Sequence, residues 1–378
     1  MRKPAFISLI IVLLTVSMLA LACSSPAPKP SPSPAPAPTS SPAPKPSPSP
    51  SPSPSPTASP KPTTINLSFG STTSTSGTYT WPVAIARVVN KNVPGINITV
   101  VESGATYDNL RKVKDGVFDG GFADGWAGVF EMYHGQETFN GNAWNQVRVL
   151  LMRDQTVLRT VARADSGIKT WSDLKGKKVS PGIPGSSQAT LVKRVNDLLG
   201  TGAEVIPDTL ENALRDLKTG KIDAAGKAGT VFALDASLME VHRSTPLNVI
   251  GFTKEEAAKI SAKYPSYFAT ETPAGAIKEL PQLGSIYELY SMGLGDVSTR
   301  MPQDVGYRIV KAIYEHRSDI DIAYPPSALY NPIGDFISIM SKAVPANMIV
   351  PLHAGSVQYA KEIGINVPPA FIPPEYKP

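Results

Sequence analysis

Two short stretches hold the residue types from which a small-molecule site is built. "STTSTSGTYTW" (71–81) is rich in Ser and Thr, and "PGIPGSSQ" (181–188) in Gly and Ser; each joins an apolar run to a helix-like segment. At such a junction, free backbone N–H groups and the helix dipole attract negative charge. Thr75, Ser76, Gly77 and Tyr79 are the candidate contacts of the first stretch, and Gly182, Gly185, Ser186 and Ser187 those of the second. A nucleotide-phosphate cradle needs Gly-x-x-x-x-Gly-Lys-Ser/Thr spacing. Gly182 and Gly185 are too close together for that, no Lys follows Gly185, and Gly-x-Gly-x-x-Gly is absent from the loop. A carboxylate or neutral polar group suits these N–H groups and hydroxyls better than a doubly charged phosphate. The competing readings are an exposed Ser/Thr loop for the first stretch and a plain tight turn for the second.

Other candidates follow apolar runs in the same way. "ESGATYDN" (102–109) supplies Glu102, Ser103, Gly104 and Asn109; Glu102 could meet a ligand ammonium or cap a turn. After "FDGGF" come Asp124 and Trp126, the latter placed either to stack on a solute or to pack between lobes. Lys227 interrupts the small, apolar "IDAAGKAG" and could pair with a carboxylate, with Thr230 just beyond it; the alternative is a solvated surface lysine. This inventory makes many neutral hydrogen bonds and little acid–base chemistry. The four histidines (His134, His242, His316, His353) lie away from these loops, no two have metal-ligand spacing, and no Gly-x-Ser-x-Gly elbow occurs. No catalytic residue, metal or cofactor is expected, and an enzyme reading, such as a hydrolase of small esters or amides, lacks parts.

The elements that position these loops alternate in type. "TINLSFG" (64–70), "NITVVES" (97–103) and "FDGGFAD" (118–124) read as strands, separated by helices over 81–92 and 106–116. In the first helix Val83, Ala86, Arg87 and Asn90 recur at helical spacing. A second series follows: strands at 157–166, 177–182, 203–207 and 222–229, with helices at 169–176, 186–200 and 209–221. Helices at 302–316 and 356–364 come late in the chain. The β-α-β-α-β order implies α/β architecture with mostly parallel sheets flanked by helices. In open α/β sheets, ligands sit beyond the carboxyl ends of the strands, where the loops above fall. About 315 residues after position 63 are too many for one ordinary core and suit two lobes.

The first 63 residues are of another kind. Arg2 and Lys3 precede an apolar run ending at Leu19-Ala20-Leu21-Ala22-Cys23, the layout of a secretion signal (1–22) with a lipobox-like end. Cleavage before Cys23, the only cysteine, and acylation of its thiol would anchor the protein to the outer face of a membrane; a retained helix is the alternative. Residues 24–63 are nearly all Pro, Ser, Ala and Thr and read as a semi-rigid spacer reaching about 120 Å. The formal net charge of +5 belongs to this part: residues 1–63 hold five basic residues and no acid, which leaves the remainder neutral. A neutral body has no electrostatic footprint for nucleic acid.

Several stretches carry a family resemblance: "GSTTSTSGTYTWPVAIARVVNKNVPG" (70–95), "VESGATYDNLRKVKDGVFDGGFAD" (101–124), "SGIKTWSDLKGKKVSPGIPGSSQAT" (166–190), "YPSYFATETPAG" (264–275) and "PLHAGSVQYAKEIG" (351–364). Together they resemble the TAXI family, the solute receptors of tripartite ATP-independent periplasmic (TRAP) transporters. The resemblance implies a type II periplasmic-binding-protein fold, with lobe I at 64–157 and 291–378, lobe II at 158–290 and a hinge between them. It implies a monomer that closes on a small carboxylate, such as a glutamate-like amino acid or a dicarboxylate, and delivers it to an ion-gradient-driven permease. It assigns the loop roles to Ser76, Gly77 and Tyr79, to Ser103, Gly104 and Asn109, and to Gly182, Gly185 and Ser186. The Thr-rich first loop, Asp124-Gly125-Trp126 and Lys227 depart from the usual pattern and bear on which solute is held. A receptor of the same fold serving an ATP-driven importer is the alternative; a surface domain for macromolecules is a further one.

Overall fold

The computed structural model describes residues 64–378; the signal-like segment, Cys23 and the Pro/Ser run lie outside the described residues. The chain begins β1 (Ile65–Gly70), α1 (Thr80–Asn92), β2 (Ile96–Val101), α2 (Thr106–Lys114), β3 (Gly120–Gly125), the expected alternation. The inward stripe of α1 is Trp81, Ala84, Ile85, Val88 and Val89, spaced to line one helix face. The residues read as periodic from sequence follow a different face, and Val83 is exposed.

Next come α3 (Trp126–His134) and β4 (Val147–Arg163), followed by β5 (Lys178–Ser180), α4 (Ser187–Leu199), β6 (Glu204–Val205), α5 (Leu210–Thr219) and β7 (Ala224–Thr230). The helix expected at 169–176 is one 3-10 turn, Trp171–Leu174, closed by a capping box between Thr170 and Asp173. The chain continues through α6 (Ala236–Ser244), β8 (Leu247–Ile250), α7 (Lys254–Lys263), β9 (Phe268–Thr272) and β10 (Ile286–Ser298), and ends in α8 (Gln303–Glu315), α9 (Arg317–Ala323), α10 (Gly334–Ala343) and α11 (Ala354–Glu362).

The strands run in the order β2-β1-β3-β10-β4-β7-β5-β6, with β8 on β4 and β9 on β10. The outer pairs are parallel, as expected, but every pair made by β4 or β10 is antiparallel, so the sheet is mixed. Strand β4, with 17 residues, spans about 55 Å. It and β10 pass from one hydrophobic core into another. One core takes Met152 and Met292, together with residues from Leu67 on and up to Phe371. Two others take Leu158, Leu289 and, apart from Ala127, only residues between them. The result is a two-lobed α/β fold of the type II periplasmic-binding-protein class, its lobes joined through the two long strands. Within the second lobe the strands are clamped by Arg159, which meets Glu288 through two bonds of 2.8 and 3.0 Å and donates to the carbonyls of Val231 and Ala233.

Candidate functional site

Between the lobes lies an open-mouthed cleft with about 90 Å³ of enclosed space, room for several waters or a small solute. Six of the sequence candidates line it: Ser76, Asp124, Gly182, Ser186, Ser187 and Lys227. The loop before α4 is shaped by glycine, with φ of +84° at Gly182 and +88° at Gly185, values other residues rarely adopt. Ser186 caps α4 by accepting from Ala189 N–H at 3.1 Å, and so fixes the first turn of the helix beside the cleft.

The other candidates lie off the cleft wall. Thr75 and Glu102 are exposed and Tyr79 is half-buried in the 3-10 turn Gly77–Tyr79. Gly77 sits against Asp235, where a Cβ would fall 2.9 Å from Oδ2. Ser103 donates to the Ser71 carbonyl at 2.7 Å, and Gly104 faces the Pro184 carbonyl across the lobes. Asn109 is fully buried; its Nδ2 donates to Ser71 O (2.9 Å) and Asp124 Oδ1 (2.8 Å), so it positions Asp124 rather than a solute. Trp126 opens α3 and packs beside Phe130 and Phe336, a core residue with no face for stacking a ligand. The Gly185 carbonyl accepts from Tyr107 N–H at 2.8 Å, and Thr230 Oγ1 donates to Ala233 O at 3.1 Å.

The strongest charge in the cleft is Arg153, which sequence reasoning missed. It lies on β4, where the register with β10 shifts: Gly293 faces Asp154 and Leu294 faces Met152, leaving Arg153 unpaired in a bulge. Bulges re-aim side chains, and this one turns Arg153 toward the cleft over Gly293, where a Cβ would fall 2.3 Å from Nη2. Arg153 Nε donates to Asp154 Oδ1 at 2.9 Å, and Asp154 Oδ2 accepts from Tyr324 Oη at 2.7 Å. The guanidinium carbon stands 5.9 Å from the Trp81 ring centre and 5.5 Å from that of Tyr324. A planar guanidinium fork is the shape that can take a carboxylate bidentately.

Around it stand Thr72, Thr78, Thr106, Thr156, Gln188 and Ser291, also missed. Gln188 Oε1 and Ser291 Oγ are buried without a partner among the described residues, which leaves an acceptor and a hydroxyl for a polar solute. Lys227 lies on β7, within the stretch read as a strand; its Nζ donates to Ala228 O at 2.7 Å and stands 3.6 Å from Asp235 Oδ2. Asp124 shares its buried corner with Asp296 of β10, and burial raises both carboxyls above the usual range.

The lobes are shut on each other along the cleft. Thr106 Oγ1 accepts from Gly125 N–H (3.0 Å) and from Ser187 Oγ (3.1 Å). Farther out, Arg194 of α4 grips Glu131 of α3 at 2.5 and 2.9 Å, while Glu131 also accepts from Tyr107 Oη at 3.0 Å. Among the described residues no histidine lines the cleft.

Several known structures are similar to this chain at low sequence identity. Arginine-binding protein (ArgBP) from T. maritima, as its P235GK mutant, is 17% identical with a TM-score of 0.43, over 70% of this chain and 96% of that one. The GluR0 ligand-binding core from Nostoc punctiforme, in complex with L-glutamate, is 14% identical with a TM-score of 0.42, over 69% and 100%. A putative L-cystine ABC transporter structure from Listeria monocytogenes is 14% identical with a TM-score of 0.42, over 70% and 98%. The model of the NMT1-like family matches residues 71–364, most of the sequence, and the chain belongs to that family.

Proposed function

We propose that this protein is an extracytoplasmic receptor that captures a small carboxylate by closing its lobes and hands it to a membrane transporter, without chemistry of its own. The observation that carries the reading is Arg153: a buried guanidinium in the wall of an interlobe cleft rich in hydroxyls, its Nε held by Asp154. The α4 N-terminus and Ser186–Ser187 close from the other side. Lobe I is read as 64–157 with 291–378, and lobe II as 158–290, so the hinge falls on β4 and β10 between the two cores. Closure follows from differential affinity: a solute touching both walls stabilises the shut form over the open one. In this reading the protein is a monomer, held at the membrane by acylated Cys23 and spaced from it by the Pro/Ser run.

A ligand of the native state raises stability by mass action, by about 2.7 kcal/mol at a hundred times its dissociation constant. A panel of amino acids and dicarboxylates is therefore expected to contain members that raise the unfolding midpoint by several degrees. A flat panel would remove the carboxylate claim.

The partner has two readings. The sequence motifs of TAXI receptors imply an ion-gradient-driven permease. The alternative, an ATP-driven importer, is the one with a named counterpart among the similar structures. Uptake of the identified solute by cells carrying the receptor separates them. Loss of uptake on collapsing the ion gradient with ATP maintained assigns the permease; loss on ATP depletion with the gradient maintained assigns the importer.

A further inference from the structure

Asp124 and Asp296 form a buried pair with one outside donor, Asn109, among the described residues. Both are buried, Asp124 at the end of β3 and Asp296 on β10, yet only Asp124 reaches the cleft wall. Asn109 serves Asp124 Oδ1, but Asp124 Oδ2 and both oxygens of Asp296 have no donor among the described residues. The two carboxyls lie side by side: a Cβ on Gly121 would fall 1.9 Å from Asp124 Oδ2 and 3.3 Å from Asp296 Oδ1. Two carboxylates are acceptors only, so a proton must lie between them. Asp296 is the better holder, because Asp124 already has the Asn109 donor and the nearby Arg153 cation. The charged groups that bear on Asp124 are Asp296 from β10, Arg153 from β4 and Asp108 from α2; across the cleft, Lys227 of β7 lines the same space. Gly121, having no Cβ, makes room for the pair.

We propose that Asp296 is a permanently neutral acid that holds Asp124 in the cleft wall as a proton acceptor, so that capture of a carboxylate solute takes up one proton from solvent. The inference rests on the carboxylate reading above. In the binding step the solute remains a carboxylate on Arg153, and hydronium or a buffer acid gives its proton to Asp124. The new Asp124 O–H then donates to the solute. No other bond forms or breaks. Magnitudes favour this route. Two like charges about 4 Å apart repel by roughly 4 kcal/mol at an effective dielectric of 20. Protonating Asp124 at neutral pH costs far less, because burial already raises it to about 7.

The pair also marks the solute-free protein. Burial pushes the Asp124 carboxyl of the folded protein up to about 7, well above the ordinary value near 3.9 of an unfolded chain. Its stabilisation is therefore complete below about pH 4 and is lost as pH rises through 7. Asp124→Asn should flatten that slope.

The test is calorimetric titration of the full-length protein with L-glutamate and with succinate, at about pH 6, 7 and 8, in buffers of differing ionisation enthalpy. Proton uptake is expected to rise from about a tenth at pH 6 through about a half at pH 7 toward one at pH 8, with affinity falling by up to about tenfold per pH unit above 7. Asp124→Asn should abolish the uptake. Asp296→Asn, which keeps a neutral donor, should preserve it, whereas Asp296→Leu should not; melting curves show that each variant folds. Binding with no proton exchange, or with proton release, overturns the inference while leaving the carboxylate reading intact. If neither these acids nor the wider panel bind, the carboxylate reading falls and the proton-linked capture falls with it.

Discussion

Replacing Arg153 with methionine is expected to lower affinity for a carboxylate solute by a hundredfold or more. Each hydrogen bond to a charged partner is worth about 1.5–3 kcal/mol, and a bidentate guanidinium contact makes two. Their loss totals about 3–6 kcal/mol, and each 1.4 kcal/mol is a factor of ten. Lysine should not rescue the site, because its point charge cannot make the paired contact. The single substitution has a second consequence: it strands Asp154, fully buried and left with only the Tyr324 hydroxyl. An unpaired buried charge costs about 3 kcal/mol or more, so the single variant is also expected to melt early. Arg153→Met with Asp154→Asn separates the effects, since the amide oxygen introduced by the second change can still accept from Tyr324. In that double variant the melting midpoint should recover and the affinity should not. Wild-type affinity in a well-folded double variant would show that Arg153 does not hold the solute.

Arg153 shows where sequence reading stops. The outer strands and helices were legible because each buries one face and so imposes a period. Strand β4 is almost wholly buried, and a strand covered on both faces loses its alternation. Its first half, "VRVLLMRDQT", therefore carried no recognisable pattern. The aim of Arg153 then depends on a register shift against β10, a contact between distant parts of the chain. Trp126 errs the other way: its place after a strand suggested a site, but α3 starts there and turns the indole into the core. The loop 181–188 was legible because glycines with positive φ and a serine cap are local requirements. Other motifs of the resemblance brace the scaffold. His353 caps α11 by accepting from Gly355 N–H, and Ser356 Oγ donates to Leu150 O at 2.6 Å, which props β4 from behind. Trp171 stacks on Phe252 in the second lobe. A sequence motif can thus identify a fold without touching a ligand.

Arg194→Met should open the cleft and weaken solute binding by about a hundredfold without any contact to the solute being changed. Arg194 is the cation of the lobe-to-lobe seam, bonded twice to Glu131 and once to Thr138. Glu131 is 1% exposed in the shut form. Removing its partner leaves a buried carboxylate with only the Tyr107 hydroxyl, at a cost of about 3–5 kcal/mol. That cost falls on the closed state, because separating the lobes returns Glu131 to water. When only the closed fraction binds, apparent affinity drops by that fraction, and about 3 kcal/mol is a little over a hundredfold. Solution scattering should show a larger radius of gyration for the variant without solute, returning toward the wild-type value when solute saturates it. Adding Glu131→Gln should restore much of the affinity, since a neutral amide is cheap to bury beside methionine and still meets Tyr107; the two sites touch, so their effects should not add. A single variant with unchanged scattering and unchanged affinity would mean that the seam does not govern closure. A double variant no better than the single would mean that Arg194 acts through something other than the charge of Glu131.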